Sequence, residues 1–269
     1  MKIVEKGNLK YIQFDNINKT GIVRHYFSTR CGGVSENQFY SMNLSFTRGD
    51  KRENVIRNFE IMEEATGINY KNIVMSRQTH TTNVRIVTKD DIGKGVTIEN
   101  DLNDTDGLIT NEKGVVLTTF SADCVPLFFV DTENKVIALA HAGWRGTVNG
   151  IAVETINKMM DNFKTNPKNI IAAIGPSIGK CCFQVDMPVV SEFIEKIENA
   201  ERFIKKDKEE GKFKIDLWGV NAFLMEKSGI PKQNIEITDL CTMCNPNLFY
   251  SHRVMGNERG SMVAVMELI

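Results

Sequence analysis

Three side chains in this sequence could meet to do chemistry, although no compact motif contains them: His80, Cys124 and His141. The chain has four histidines and six cysteines, so each can be weighed singly. His141 closes the apolar run Ile-Ala-Leu-Ala that starts at Ile137. Gly143, Trp144, Arg145 and Gly146 follow, a poor sequence for continuing a strand. A histidine at the lip of a core strand is ordinarily a satisfied structural residue. Cys124 lies between two apolar runs, at a break marked by Ser121-Ala122-Asp123 and Pro126. A buried cysteine ordinarily acts as a small hydrophobe. The run after Cys124, however, leads directly into the run that ends at His141. If the two form a hairpin, its ends lie side by side and Cys124 comes to face His141. His80 stands in the polar stretch Ser76–Val84, where a surface role is the ordinary reading.

Two imidazoles and one thiolate around one point suit zinc with an open fourth position. The same set suits a metal-free cysteine hydrolase, with Cys124 as nucleophile and His141 as base. With an axial contact from one of 12 methionines, it would suit a single blue-copper electron-transfer site. Spacing leaves all three open, whereas a multicopper cluster needs far more imidazoles than four. Cys241 and Cys244 form a C-x-x-C, but the adjacent Cys181-Cys182 is awkwardly spaced as its second pair. These four are therefore expected to be buried or inert thiols. Arg30, in FSTRCGGVS, and Arg145, in GWRG, each lie within two residues of glycine, which lets a backbone approach a ligand closely. Their planar guanidinium forks make them candidate clamps for phosphate or carboxylate. Asp106 and Asp123 are candidate acids, substrate contacts or partners of the ligands; the ordinary reading of each is a turn aspartate.

The elements that must position these residues follow from hydrophobic periodicity. Strands are expected at about 10–14, 22–28, 73–76, 83–87, 115–120, 126–131, 135–141, 170–174, 235–238 and 262–268. Helices are expected at 51–66, 147–163, 188–199 and 216–228, the last with Asp216 as N-cap and Gly229 as stop. Strands come in clusters with helices between clusters, which predicts an α+β fold of mixed sheets layered with helices. Lys89–Thr105 reads as a long surface connection and Lys205–Lys212 as a solvated loop. Neither resembles a linker, so residues 1–269 are expected to form one domain. The chain is 42% hydrophobic, which supports a sizeable core. Its net charge of −1 argues against a general nucleic-acid or membrane binder. The start, MKIVEKGNLKYIQF, lacks the apolar core of a signal peptide, so a cytoplasmic protein with reduced thiols is expected.

Blocks along nearly the whole chain resemble the YfiH family, also called the polyphenol oxidase laccase-domain family. They begin with HYFSTRCGGVS (His25–Ser35), MNLSF (Met42–Phe46) and GDKRENVIRN (Gly49–Asn58). QTHTTNV (Gln78–Val84), TDGLIT (Thr105–Thr110), SADCVPLFFVD and AHAGWRGTVNGI follow. IGPSIGKCCFQV (Ile174–Val185), Cys241-Thr242 and FYSHR (Phe249–Arg253) complete the set. The resemblance implies a fold similar to the YfiH and cytotoxic necrotising factor cysteine-hydrolase group. It implies that His80, Cys124 and His141 are the metal and catalytic positions, with zinc as the ion; copper remains the alternative that the donor types themselves allow. It further implies phosphorolysis of adenosine, inosine and methylthioadenosine, so a nucleoside and phosphate as ligands, with adenosine deamination in some members. One branch edits a peptidoglycan precursor. The chain departs from the pattern at Phe183-Gln184, where members often carry Tyr-Glu, and at Val254, where a second arginine is common.

Overall fold

The strands Val125–Asp131 and Val136–Ala142 bury every residue, which requires a sheet covered on both faces. The computed structural model, which describes residues 1–269, shows what covers them. They are the central pair of a six-stranded sheet in the order Ile235–Ile237, Ile170–Ile174, Val125–Asp131, Val136–Ala142, Gly107–Thr110, Val84–Ile86. A second six-stranded sheet runs Lys2–Lys6, Leu9–Gln13, Val23–Ser28, Met262–Leu268, Val116–Ser121, Ile73–Met75. Both are mixed: most pairs are antiparallel, while the edge strands Ile73–Met75, Val84–Ile86 and Ile235–Ile237 join their sheets in parallel.

Side-chain alternation sorts the two faces. Leu127, Phe129, Ala138, Ala140 and Ala142 pack against Ile151, Ile156 and Met159 of the Ile151–Phe163 helix, and against Val220 and Met225 of the Leu217–Lys227 helix. The opposite residues, Phe128, Val130, Ile137 and Leu139, meet Phe14, Phe27, Leu117, Ala264 and Met266 of the other sheet. That sheet's outer face, including Tyr26, Ile73, Val116 and Val265, is covered by Val55, Phe59 and Met62 of the Arg52–Thr66 helix. The result is four layers, helix–sheet–sheet–helix, in line with the expected α+β architecture.

Several expected elements differ in detail. The helix expected over 147–163 is two, Trp144–Val148 and Ile151–Phe163, because Gly150 at φ 80° turns the chain between them. Asp216 does cap its helix, accepting the Gly219 N–H at 3.0 Å. The charged run 205–212 is the connection of a hairpin, Ile204–Lys206 with Lys212–Ile215, which Gln184–Asp186 extends to three strands. These strands are only three or four residues long and lie in a strongly charged run, so the brief Lys-Phe-Lys-Ile alternation is too short to reveal them. The strands Lys2–Lys6 and Gly107–Thr110 are likewise additional to those expected. No helix is long and apolar enough to cross a membrane.

Candidate active site

The hairpin places the first two residues of the site. Val125 pairs with Ala142 and Pro126 with His141, so Cys124 and His141 emerge at one end of adjacent strands. His141 continues the Ile137 and Leu139 row, which faces the other sheet. Its imidazole therefore stands where the core between the two sheets ends, buried at its rim. The thiol of Cys124 is half-buried. His80 arrives from the loop before Val84–Ile86, with its backbone at φ 66° and its ring 5.0 Å from that of His141. Its Nε2 lies 3.7 Å from Cys124 Sγ, and the three donor atoms lie within 4.8 Å of one another. Gly143 is needed for space: a Cβ there would sit 2.6 Å from His80 Cδ2 and 3.3 Å from Cys124 Sγ.

Asp106 organises this approach. Its buried carboxylate accepts the backbone N–H groups of Thr79, His80 and Thr81 and the Thr81 hydroxyl, at 2.9 to 3.1 Å. The same carboxylate meets His141 Nδ1 at 2.8 Å. One side chain thus holds the loop that carries His80 and keeps the His141 proton on Nδ1, leaving Nε2 free to face the thiol. This is the support that metal-bound histidines generally receive. Burial would raise the Asp106 pKa, but its bond to His141 and the backbone donors hold it below the usual carboxylate range. Burial would also raise the Cys124 thiol; the charge of His141, with hydrogen bonds from both histidines, outweighs it and brings the thiol to about 6. His141 moves the opposite way, to about 9, as the thiolate and Asp106 overcome its burial. Without a metal, the pair is a thiolate beside an imidazolium.

All three residues line a cavity of about 690 Å³. Its other walls carry Arg48, Arg52, Arg77 and Arg259, the aromatic rings of Phe46 and Phe120, and the backbone turn Gly95–Asn100. Glu99 is the only carboxylate among the lining residues. Arg259 is 5% exposed, and its Nη1 donates to Gly260 O and Ser261 Oγ, whereas Nε has no partner. Burial lowers its pKa to about 10, and no carboxylate pairs with it. An unpaired buried cation beside a thiol is an arrangement suited to an anionic ligand.

The structure places the other expected contacts elsewhere. Arg30 spends its guanidinium on the carbonyls of Tyr40 and Pro246, over the Tyr250 ring, outside the cavity. Arg145 is exposed and stacks 4.3 Å from the Trp144 ring centroid, also outside it. Asp123 lies behind the site, at φ 86°, and accepts from Thr242 Oγ1, Ser251 Oγ and the Arg253 N–H. Asp106 supports His80 and His141 and does not line the cavity. The sequence signal that singled out Arg30 and Arg145, an arginine within two residues of glycine, is equally present at Arg48 before Gly49 and Arg259 before Gly260. Lys89–Thr105, expected to be a surface connection, supplies a wall of the cavity through residues 95–100.

The model of the family described as multi-copper polyphenol oxidoreductase laccase matches residues 24–269. The chain is 36% identical over 239 residues to purine nucleoside phosphorylase YlmD of Bacillus subtilis, covering 88% of this chain and 86% of that protein. It is 33% identical over 238 residues to adenosine deaminase RL5 of an unknown prokaryotic organism, covering 87% and 90%. Among solved structures, hypothetical protein YfiH of Bacillus licheniformis matches with a TM-score of 0.91 and 31% identity, over 99% of both chains.

Proposed function

The chain belongs to this laccase-domain family, and on that premise we propose that it is a zinc-dependent purine nucleoside phosphorylase. The observation that supports the reading is the meeting of His80, Cys124 and His141 with unpaired arginines in one cavity. The donor set fits zinc: two imidazoles and a thiolate, with a carboxylate behind one imidazole and an open side towards the cavity. It does not fit a trinuclear copper cluster. Of four histidines, His25 is buried and accepts the Phe14 N–H, and His252 bonds the Gly256 carbonyl, which leaves two.

In this reading His80, Cys124 and His141 hold the ion, which when bound supplies a Lewis acid that polarises a substrate oxygen. Arg259 and Arg48 bind the phosphate and set one of its oxygens against the anomeric carbon of the nucleoside. Phe46 and Phe120 offer apolar faces to the purine. The new carbon–oxygen bond forms as the bond to the purine nitrogen breaks, and the proton lost by hydrogen phosphate ends on the leaving base. Charge developing on the sugar is offset by the phosphate that the arginines hold in place, so positioning and electrostatics carry the rate. A metal-free cysteine hydrolase acting on a peptidoglycan precursor is the second reading, favoured by the thiolate–imidazolium pair itself.

The test is to incubate zinc-replete protein with inosine, adenosine and methylthioadenosine, with and without phosphate, and separate the products. Free base with pentose 1-phosphate, formed only with phosphate, is expected. Inosine formed from adenosine without phosphate and without base release would make the protein a deaminase instead. Release of an amino acid from a precursor by zinc-free protein would establish the hydrolase.

A further inference from the structure

Outside the cavity, a second group of soft ligands meets in space. Cys181 and Cys182 lie in the turn after Ile170–Ile174, and Cys241 and Cys244 lie more than 50 residues later in the chain. All four sulfurs nevertheless lie within 4.8 Å of one another. Cys244 Sγ is 3.5 Å from Cys181 Sγ and 3.4 Å from Cys182 Sγ. The adjacent pair, awkwardly spaced in sequence for a second ligand pair, thus does meet the C-x-x-C in space. We propose that Cys181, Cys182, Cys241 and Cys244 form a structural zinc site, distinct from the centre at His80, Cys124 and His141.

Geometry selects a single ion. Four sulfurs at about 2.3 Å from one zinc stand about 3.8 Å apart along each tetrahedral edge. The two separations at Cys244, 3.5 and 3.4 Å, fall just short of that value, and no pair of the four sulfurs is further apart than 4.8 Å. A disulfide would join only two of the four, yet Cys244 is equally close to two partners. The polypeptide also prepares the site. Gly179 O accepts the N–H groups of Cys182 and Phe183, which forms the turn that aims adjacent cysteines at one point. The Gly179 N–H donates to Cys241 Sγ at 3.3 Å, the support expected for a thiolate ligand. The two loops pair beforehand: Ser177 N–H donates to Leu240 O and Thr242 N–H to Ser177 O.

The site would act on the catalytic centre through Asp123. Ile178 N–H donates to Asp123 O at 2.9 Å, and Thr242 Oγ1 donates to its carboxylate at 2.6 Å. Both loops stapled by the four cysteines thus clasp the residue that precedes Cys124. Asp123 sits at φ 86°, a conformation that needs such restraint.

Metal analysis of protein purified under reducing conditions tests this directly. Wild type is expected to carry two equivalents of zinc, Cys124→Ala one, Cys244→Ser one, and the double variant none. Cys181 and Cys244 are exposed, so serine there leaves no core cavity, and Cys124→Ala leaves the cluster untouched. Cobalt exchanged into Cys124→Ala should give the intense thiolate-to-metal absorption of a tetrathiolate site, and Cys244→Ser should lose it. Cys124→Ala protein that holds neither zinc nor cobalt would overturn the proposal. So would a protein two hydrogens lighter than its reduced mass that, once reduced, takes up no zinc at these cysteines; that result would make them a redox pair.

Discussion

At the scale of single residues, the site depends on side chains that never touch the reacting atoms. Asp106 accepts five donors across two segments. Asp106→Asn keeps the shape but turns an amide N–H towards backbone N–H groups and gives up the carboxylate that fixes His141. Zinc affinity, measured by competition with a chelator, should fall about ten- to a hundredfold. Unchanged affinity would reduce Asp106 to a loop brace. The arginines divide similarly. Arg259→Lys keeps the charge but loses the fork, which should raise the KM for phosphate about ten- to a hundredfold, or about 1.5–3 kcal/mol. Arg145→Lys should leave that KM unchanged, because its guanidinium lies on Trp144. The opposite pattern would return the anion site to Arg145. His80, Cys124 and His141 could be singled out because imidazole and thiol are rare and chemically pointed. The arginines were not, since glycine lies within two residues of arginine at all four positions and only the fold says which face the cavity.

At the scale of elements, the approach of Cys124 to His141 was readable because a four-residue connection joins their strands, and such a hairpin has one register in which both ends meet. The arrival of His80 was not readable from periodicity. Its loop is anchored by a carboxylate 26 residues further on, a contact no local pattern encodes. A different consequence belongs to the Val23–Ser28 strand. His25 Nε2 accepts the Phe14 N–H at 2.8 Å, and its ring stacks on Phe14, wholly inside the core. Burial lowers its pKa from 6.5 to about 4. Between those values the unfolded chain binds more protons than the folded one, so stability falls as pH drops through that window and is fully present above it. The loss should approach about 3 kcal/mol by pH 4. In His25→Gln, whose amide oxygen can accept the same N–H, the dependence of Tm on pH between 6.5 and 4 should flatten. An identical slope in the variant would assign the acid sensitivity to other groups.

At the scale of the whole molecule, two sheets face each other with helices on both outer faces. His80, Cys124 and His141, the proposed catalytic residues, collect where the inter-sheet core ends. The layered α+β architecture was legible from the clustering of apolar runs, and the ends of most long strands fell within one residue of expectation. The four-cysteine cluster was not, because sulfurs on an adjacent pair and on a C-x-x-C more than 50 residues away meet only after the sheet is built. The proposed activity requires zinc at His80, Cys124 and His141, and one titration addresses that requirement. Cys244→Ser protein, stripped of metal, should show no phosphate-dependent cleavage of inosine. Zinc added back should restore activity linearly and plateau at one equivalent per chain. Full activity in the stripped protein, abolished by alkylation of Cys124, would contradict the account and place the chemistry on the thiol alone.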